Sequence, residues 1–325
     1  MEQIDIILAT YNGEKYLKEQ LDSILNQTYT NFRLLISDDC SQDSTKEILK
    51  KYEKKDNRIK VFFQGKNLGY VKNFEFLLTK VESSIYALSD QDDIWNKYKV
   101  EKSYNKLKEE NADLVFTDLE MIDEEGKTIK DSFNDYMKLS RKIEKTLNSY
   151  ELAYLYNCIT GCTILAKTEM LKKILPIPKT SKHMIHDYWI AVITAVNGKV
   201  TYLKEPTIKY RQHRKNQIGA NHTVYKFDKF EQVRNHLIDV KLGVFGVYVE
   251  NKEKFPKELQ EQNEKAYKYF KSLQKAKNIN FRNLKIFKKL YKNETFKYRL
   301  ENFMVLNMPA LSRVIYNLKI KGKEK

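Results

Sequence analysis

The chain has 325 residues, of which 42% are hydrophobic and 31% charged, with a formal net charge of +16. That length can bury one large core or two smaller ones, and the composition excludes a disordered chain. No apolar run approaches the ~18–20 residues needed to span a bilayer, so a soluble or peripheral protein is expected. The charge is unevenly placed. Residues 226–325 hold 24 Lys and Arg against 11 Asp and Glu, whereas the first 225 hold 35 against 32.

In chain order, residues 4–9 (IDIILA) form a β-rich run that ends in the turn signal Thr10-Tyr11-Asn12-Gly13. Tyr16, Leu17, Leu21, Ile24 and Leu25 then recur at helical spacing. A second strand from Phe32 to Ser37 ends in Asp38-Asp39-Cys40-Ser41, and a helix capped by Asp43 or Ser44 follows. A third strand at 59–63 leads through Gly65, Asn67 and Gly69 into a helix near 70–82. The fourth strand, 85–88, runs into Asp90-Gln91-Asp92-Asp93, and a helix near 97–110 and a strand at 113–119 come next.

This alternation with short loops predicts a mostly parallel central sheet flanked by helices, an α/β fold. In such sheets ligands sit beyond the carboxyl ends of the strands. Three of those ends carry polar clusters, at Thr10-Tyr11-Asn12, Asp38-Asp39 and Asp90 to Asp93, which are expected to converge on one crevice. After residue 120 the pattern changes. Residues 123–126 read as a hairpin turn, 149–156 as helix and 161–167 as strand. A helix opens at His186-Asp187-Tyr188-Trp189 and ends near Gly198, with strands at 199–203 and 207–210. Beyond 225 the chain reads as helical.

Asp90 and Asp92, spaced i, i+2 at a strand end, can face one ligand together, and hard cations such as Mg²⁺ or Mn²⁺ favour oxygen ligands. A solvated acidic turn is the plain alternative. An EF-hand is rejected because its sharply turning sixth place holds Trp95 and Ile94 stands where a ligand belongs. Asp38-Asp39 can accept hydrogen bonds from a base or ribose, and Tyr11 offers a flat stacking surface. Neither G-x-G-x-x-G nor G-x-x-x-x-G-K-[ST] follows the first strand, which argues against a dinucleotide fold or a P-loop ATPase. Asp187 reads either as a helix cap or as a general base, with His186 sharing that role or lying on the surface. The donors in Tyr210-Arg211-Gln212-His213-Arg214 would suit a diphosphate, and a solvated basic loop is again the alternative. Three cysteines without framework spacing fit a reducing cytosol.

The segments "ILATYNG", "ISDDCSQDST", "GKNLG", "ALSDQDDIW", "GCTIL", "HDYW" and "YRQHRKNQIGA" together resemble family 2 inverting glycosyltransferases of GT-A fold. The last two are similar to bacterial rhamnosyltransferase-type members. The resemblance implies a GT-A domain over 1–222 and a basic helical extension over 223–325. It further implies that Thr10, Tyr11 and Asp39 hold the donor nucleoside with Asp38 beside them, and that Asn12, Asn67 and Gln91 belong to the same donor set. Asp90 would contact the ribose, Asp92 and His213 would hold Mg²⁺ or Mn²⁺, Arg211, Gln212 and His213 would face the diphosphate, and Asp187 would be the base. In many such loops a Gly-Asn pair stands where this chain has Arg214-Lys215.

The implied activity is metal-dependent transfer of a sugar, with rhamnose from dTDP-rhamnose favoured over a UDP-hexose, to a glycan or lipid-linked acceptor. Alternatives are a sugar-nucleotide nucleotidyltransferase, whose Gly-rich basic loop is absent around Thr10–Lys15, and a non-catalytic basic adaptor. The basic C-terminal third is expected to contact an anionic membrane peripherally at its cytoplasmic face and to support homo-oligomerisation. No recognisable nucleic-acid reader is present.

Overall fold

The computed structural model describes residues 1–147, 150–151, 154, 158–178, 184–213, 229–276 and 284–316, together with the backbone of 317–321. The described residues form two compact units, one holding 1–177 and 185–213, the other 178, 184 and 229–321. The boundary expected at 222 and the stretch from Arg214 on lie outside the described residues, as does most of the helix expected at 149–156.

In the first unit, strands β1 (Ile4–Thr10), β2 (Phe32–Asp38), β3 (Ile59–Phe63), β4 (Ile85–Ser89), β5 (Ile94–Trp95), β6 (Leu114–Ile122), β7 (Thr128–Lys130), β8 (Leu165–Lys167) and β9 (Val200–Arg211) build one sheet. Its order is β3-β2-β1-β4-β8-β6-β9-β5, with β7 paired to β6. β1 pairs in parallel with β2 and β4, β2 with β3, and β6 with β9. The short β8 lies antiparallel between β4 and β6, so the six longer strands all run one way. β1, β2 and β4 read as near-continuous apolar runs because both faces of the sheet are covered. Ile6, Leu8, Leu34, Ile36 and Ala87 meet Leu17, Leu21 and Ile24, which helix α1 (Leu17–Leu25) presents at i, i+4 and i+7.

Helices α2 (Thr45–Lys55), α3 (Tyr70–Leu78) and α4 (Lys99–Glu109) fall where periodicity placed them. The short helices α5 (Phe133–Tyr136), α6 (Ser140–Thr146) and α7 (Leu171–Ile174) were not expected. Gly161–Thr163 is a 3₁₀ turn, and only Leu165–Lys167 of the strand expected at 161–167 pairs. The two strands expected at 199–203 and 207–210 are one, β9. Its register slips opposite Thr117–Glu120, at Pro206. Proline lacks the amide that a ladder requires, and a bulge absorbs it without ending the strand. α8 (His186–Asn197) is buried from Tyr188 to Thr194, and the Trp189 indole donates to the Ile174 carbonyl at 2.9 Å.

The second unit is helical, as expected, with α9 (Phe230–Glu250), α10 (Lys257–Gln274), α11 (Leu284–Leu290), α12 (Phe296–Asn307) and α13 (Pro309–Lys321). Phe245 stacks with Phe270 between α9 and α10, and the Tyr269 hydroxyl donates to Asn307 Oδ1 on α12 at 2.9 Å. Among the described residues, no helix is long and apolar enough to cross a membrane.

Candidate active site

The carboxyl ends of β1, β2, β4, β6 and β9 open on one edge of the sheet, and the expected polar clusters occupy it. Thr10 ends β1 and donates its hydroxyl to Asp38 Oδ1 at 3.1 Å across the ladder. The buried Asp38 also accepts from the Ser41 hydroxyl at 2.5 Å and the Ser41 amide at 3.0 Å. Asn12, at φ 48°, gives its amide to Ser41 Oγ and accepts the Gln42 amide, both at 2.8 Å. Asp38 and Asn12 therefore set the shape of the two loops.

Asp39 continues that wall. Its amide donates to the Thr10 carbonyl at 2.8 Å, and its two carboxylate oxygens take the amides of Leu68 at 2.6 Å and Gly69 at 2.9 Å. Asn67 donates its side-chain amide to the Asp39 carbonyl at 3.2 Å. Gly69 lies at φ 80°, a left-handed conformation that a side chain would oppose. Tyr11, 43% exposed, presents its ring at the surface. Its amide and carbonyl are clasped by Gln91, at 2.9 and 3.1 Å.

The acidic turn after β4 divides its carboxylates between two environments. Asp92 Oδ2 lies 2.8 Å from His213 Nε2, which brings together the two residues expected to hold a metal. Burial and the nearby charges of Asp92 and Asp187 push the Asp90 carboxyl up to about 7. Asp93 points inward. Its Oδ1 accepts the Arg211 amide at 3.1 Å, and its Oδ2 is buried. Burial first, then Asp92 and Asp90, raise its carboxyl far above the usual range. Beneath it Lys99 is buried with its ammonium 4.3 Å over the Trp95 ring, so Trp95 belongs to the core.

Asp90, Asp93 and the Cys162 thiol place ligand atoms within 4.8 Å of one another. The thiol is held protonated by burial and by the two carboxyls, which makes that trio a poor cage for a hard cation. Asp92 and His213, with Asp90 at their side, offer oxygen and imidazole donors that suit Mg²⁺ or Mn²⁺.

Arg211, expected at the diphosphate, is turned into the protein and only 2% exposed. Its Nε donates to the Asp92 carbonyl at 3.0 Å, one amino group reaches the Glu124 carbonyl at 3.0 Å, and the other pairs with Glu19. The guanidinium also lies 4.6 Å over the ring of Tyr16, which meets His213 at 5.1 Å between centroids. Arg211 thus ties β9 to the acidic turn and holds His213 against Asp92. The Gln212 amide donates to the Ile122 carbonyl at 2.8 Å, and its side chain is nearly buried.

Asp187 stands in the first turn of α8. Its Oδ2 accepts the Gly161 amide at 3.0 Å and Oδ1 the Tyr188 amide at 2.6 Å. A Cβ on Gly161 would lie 3.0 Å from the Asp187 Cβ, so a side chain there would push Asp187 from its place by a few tenths of an ångström. Gly161 precedes β8, and β8 runs antiparallel to β4, so the turn lies at the same edge as Asp90. His186 is not a surface residue. It is 5% exposed, is held toward its neutral form by burial, and stacks on Phe74 with centroids 4.1 Å apart.

A mostly parallel α/β sheet with an acidic strand-end turn, a facing imidazole and a separate carboxylate at its carboxyl edge defines a GT-A transferase fold. The chain belongs to glycosyl transferase family 2, whose profile matches residues 5–175. It is 30% identical over 241 residues to the dTDP-rhamnosyl transferase RfbG of Shigella flexneri, covering 70% of this chain and 79% of that one. It is 27% identical over 221 residues to the O-antigen biosynthesis glycosyltransferase WbnJ of Escherichia coli, covering 66% and 82%. Among solved structures, S. aureus TarS 1–349 in complex with UDP-GlcNAc superposes with a TM-score of 0.58 at 17% identity, over 93% of this chain and 87% of that one. Family membership sets aside the nucleotidyltransferase and the non-catalytic adaptor.

Proposed function

We propose that the protein is an inverting, metal-dependent glycosyltransferase of surface polysaccharide synthesis that uses dTDP-rhamnose. The observation that carries the mechanism is Asp187. Its carboxylate is oriented by the Gly161 amide, and it lies near enough to Asp90, at the same edge, to help raise that carboxyl. Asp187 takes the proton of an acceptor hydroxyl. That oxygen forms its bond to the anomeric carbon from the face opposite the diphosphate, the bond from that carbon to the diphosphate oxygen breaks, and the diphosphate leaves with the electron pair.

Tyr11, Thr10 and the Asp39 wall form the nucleoside end, with Asp90 at the ribose. Asp92 and His213 are the residues that would hold Mg²⁺ or Mn²⁺, which when bound neutralises charge developing on the diphosphate. Arg211 contributes by holding the His213 segment in place.

The relative named for dTDP-rhamnosyl transfer supports the choice of donor. A panel of nucleotide sugars incubated with the protein and Mn²⁺ checks it by released nucleoside diphosphate. dTDP-rhamnose is expected to be turned over fastest. Preference for a UDP-hexose reassigns the donor, and cleavage of none overturns the reading.

The basic second unit is proposed to bring the enzyme to a glycan or lipid-linked acceptor at the cytoplasmic face of an anionic membrane, with homo-oligomerisation as a companion role. Residues 226–325 carry 24 basic against 11 acidic side chains, a charge that anionic lipid attracts. In flotation the full chain should rise with vesicles containing anionic lipid and stay behind with neutral ones. Equal behaviour with both removes the membrane role.

A further inference from the structure

We propose that Tyr70 is the platform on which the acceptor's sugar ring lies while Asp187 takes its proton, a reading that rests on Asp187 as the base. Tyr70 is the first residue of α3 and follows directly on Gly69, whose amide is bound by Asp39. The start of the helix is therefore fixed to the wall of the crevice. One turn on, the buried Phe74 stacks on His186 at 4.1 Å and 13°, and Tyr70 meets the same imidazole edge-on at 6.0 Å and 68°. His186 is the chain neighbour of Asp187, so a single aromatic contact fixes the phenol ring relative to the catalytic carboxylate.

Of the three rings, Phe74 and His186 are buried and only Tyr70 reaches solvent, at 37% exposure. The charge of Asp187, added to burial, raises the Tyr70 hydroxyl above its ordinary value, which agrees with their closeness. Asp187 itself has no cationic partner among the described residues, and burial holds its neighbour His186 toward the neutral form. Each Asp187 oxygen accepts one backbone amide and keeps a further acceptor position for a substrate hydroxyl.

A pyranose has a face of C–H bonds and a rim of hydroxyls. A rigid, half-exposed aromatic ring accepts the first, and a carboxylate at its side selects one of the second. A linear polyol or a lipid chain offers no such face. The ligand class is thus a sugar ring at the accepting end, whatever carries it.

The test uses the full chain, saturated with the nucleoside diphosphate of its donor and Mn²⁺, and four free probes: the methyl glycosides of rhamnose, glucose, galactose and N-acetylglucosamine. Saturation-transfer NMR should show contact with the ring C–H protons of at least one. Tyr70→Ala should weaken that binding about tenfold and leave nucleotide affinity unchanged. Tyr70→Trp should preserve it and report it as a change in indole fluorescence.

Wild-type protein that binds none of the four overturns the proposal. So does Tyr70→Ala that binds them as wild type does, or that loses the nucleotide instead, which would place the ring against the donor. The base reading is separable. Asp187→Asn that still transfers sugar defeats the base assignment, while the binding result stands on its own readout.

Discussion

Asp187→Asn should bind its nucleotide sugar with wild-type affinity and lose about 10²–10⁴-fold in transfer, the usual contribution of a positioned general base. The substitution keeps the size of the side chain and removes its capacity to accept a proton. A helix-capping role makes the opposite forecast. Asp187 does take the Tyr188 amide, one of those the first turn of a helix leaves unsatisfied, so some capping stabilisation is present. Loss of a cap costs about 0.5–2 kcal/mol, which shifts a melting temperature by a few degrees and leaves chemistry intact. Turnover, nucleotide titration and thermal melting of the same preparation separate the two. Near-normal turnover with a lowered melting temperature would leave Asp187 a cap and nothing more.

What could be read without the structure follows a physical boundary. Thr10, Asp38 and Asp90 stand at strand ends that local patterning marks, because an apolar run buried on both faces must stop where the chain turns back into solvent. Once the strands are taken as parallel, the convergence of these residues follows from topology alone. The direction in which a side chain points is a different matter. Arg211 lies in a run of donors that reads as a diphosphate grip, yet its guanidinium binds the carbonyls of Asp92 and Glu124 and the carboxylate of Glu19, 192 residues away. No local pattern carries such a pairing. Lys99 opens a helix rich in lysine, and only the fold puts it beside Asp93.

Gly161 and Tyr70 were passed over for a related reason. Each is defined by how closely it approaches Asp187, a residue 26 positions from the first and over a hundred from the second. "GCTIL" marked the segment, though not the amide in it that mattered. His186 is not the surface residue it could have been, since the ring it stacks on belongs to α3. Adjacency to Asp187 in sequence put it near the proposed base, and the structure buries it against Phe74.

Asp92→Ala should abolish the part of nucleotide-sugar affinity that depends on Mn²⁺. Asp92 and His213 face each other at 2.8 Å, and three carboxyls crowd the same turn, with Asp90 raised to about 7 by burial and like charge. Such an arrangement resists further negative charge, and a diphosphate brings more of it. A divalent cation held by Asp92 and His213 would reverse the sign of the local field, so donor binding and ion binding would become one event. Removal of Asp92 deletes a direct ligand. The expected loss therefore exceeds the roughly 10–100-fold that removal of an outer-shell partner costs. His213→Ala should fall in the same direction by a smaller factor, because a neutral imidazole contributes less to the attraction than a carboxylate. Chelation supplies the decisive comparison. If Asp92 holds the ion, EDTA lowers the nucleotide affinity of the wild type toward that of Asp92→Ala and leaves the variant where the substitution left it. An Asp92→Ala protein whose affinity still rises with Mn²⁺ as the wild type's does would move the ion away from this pair.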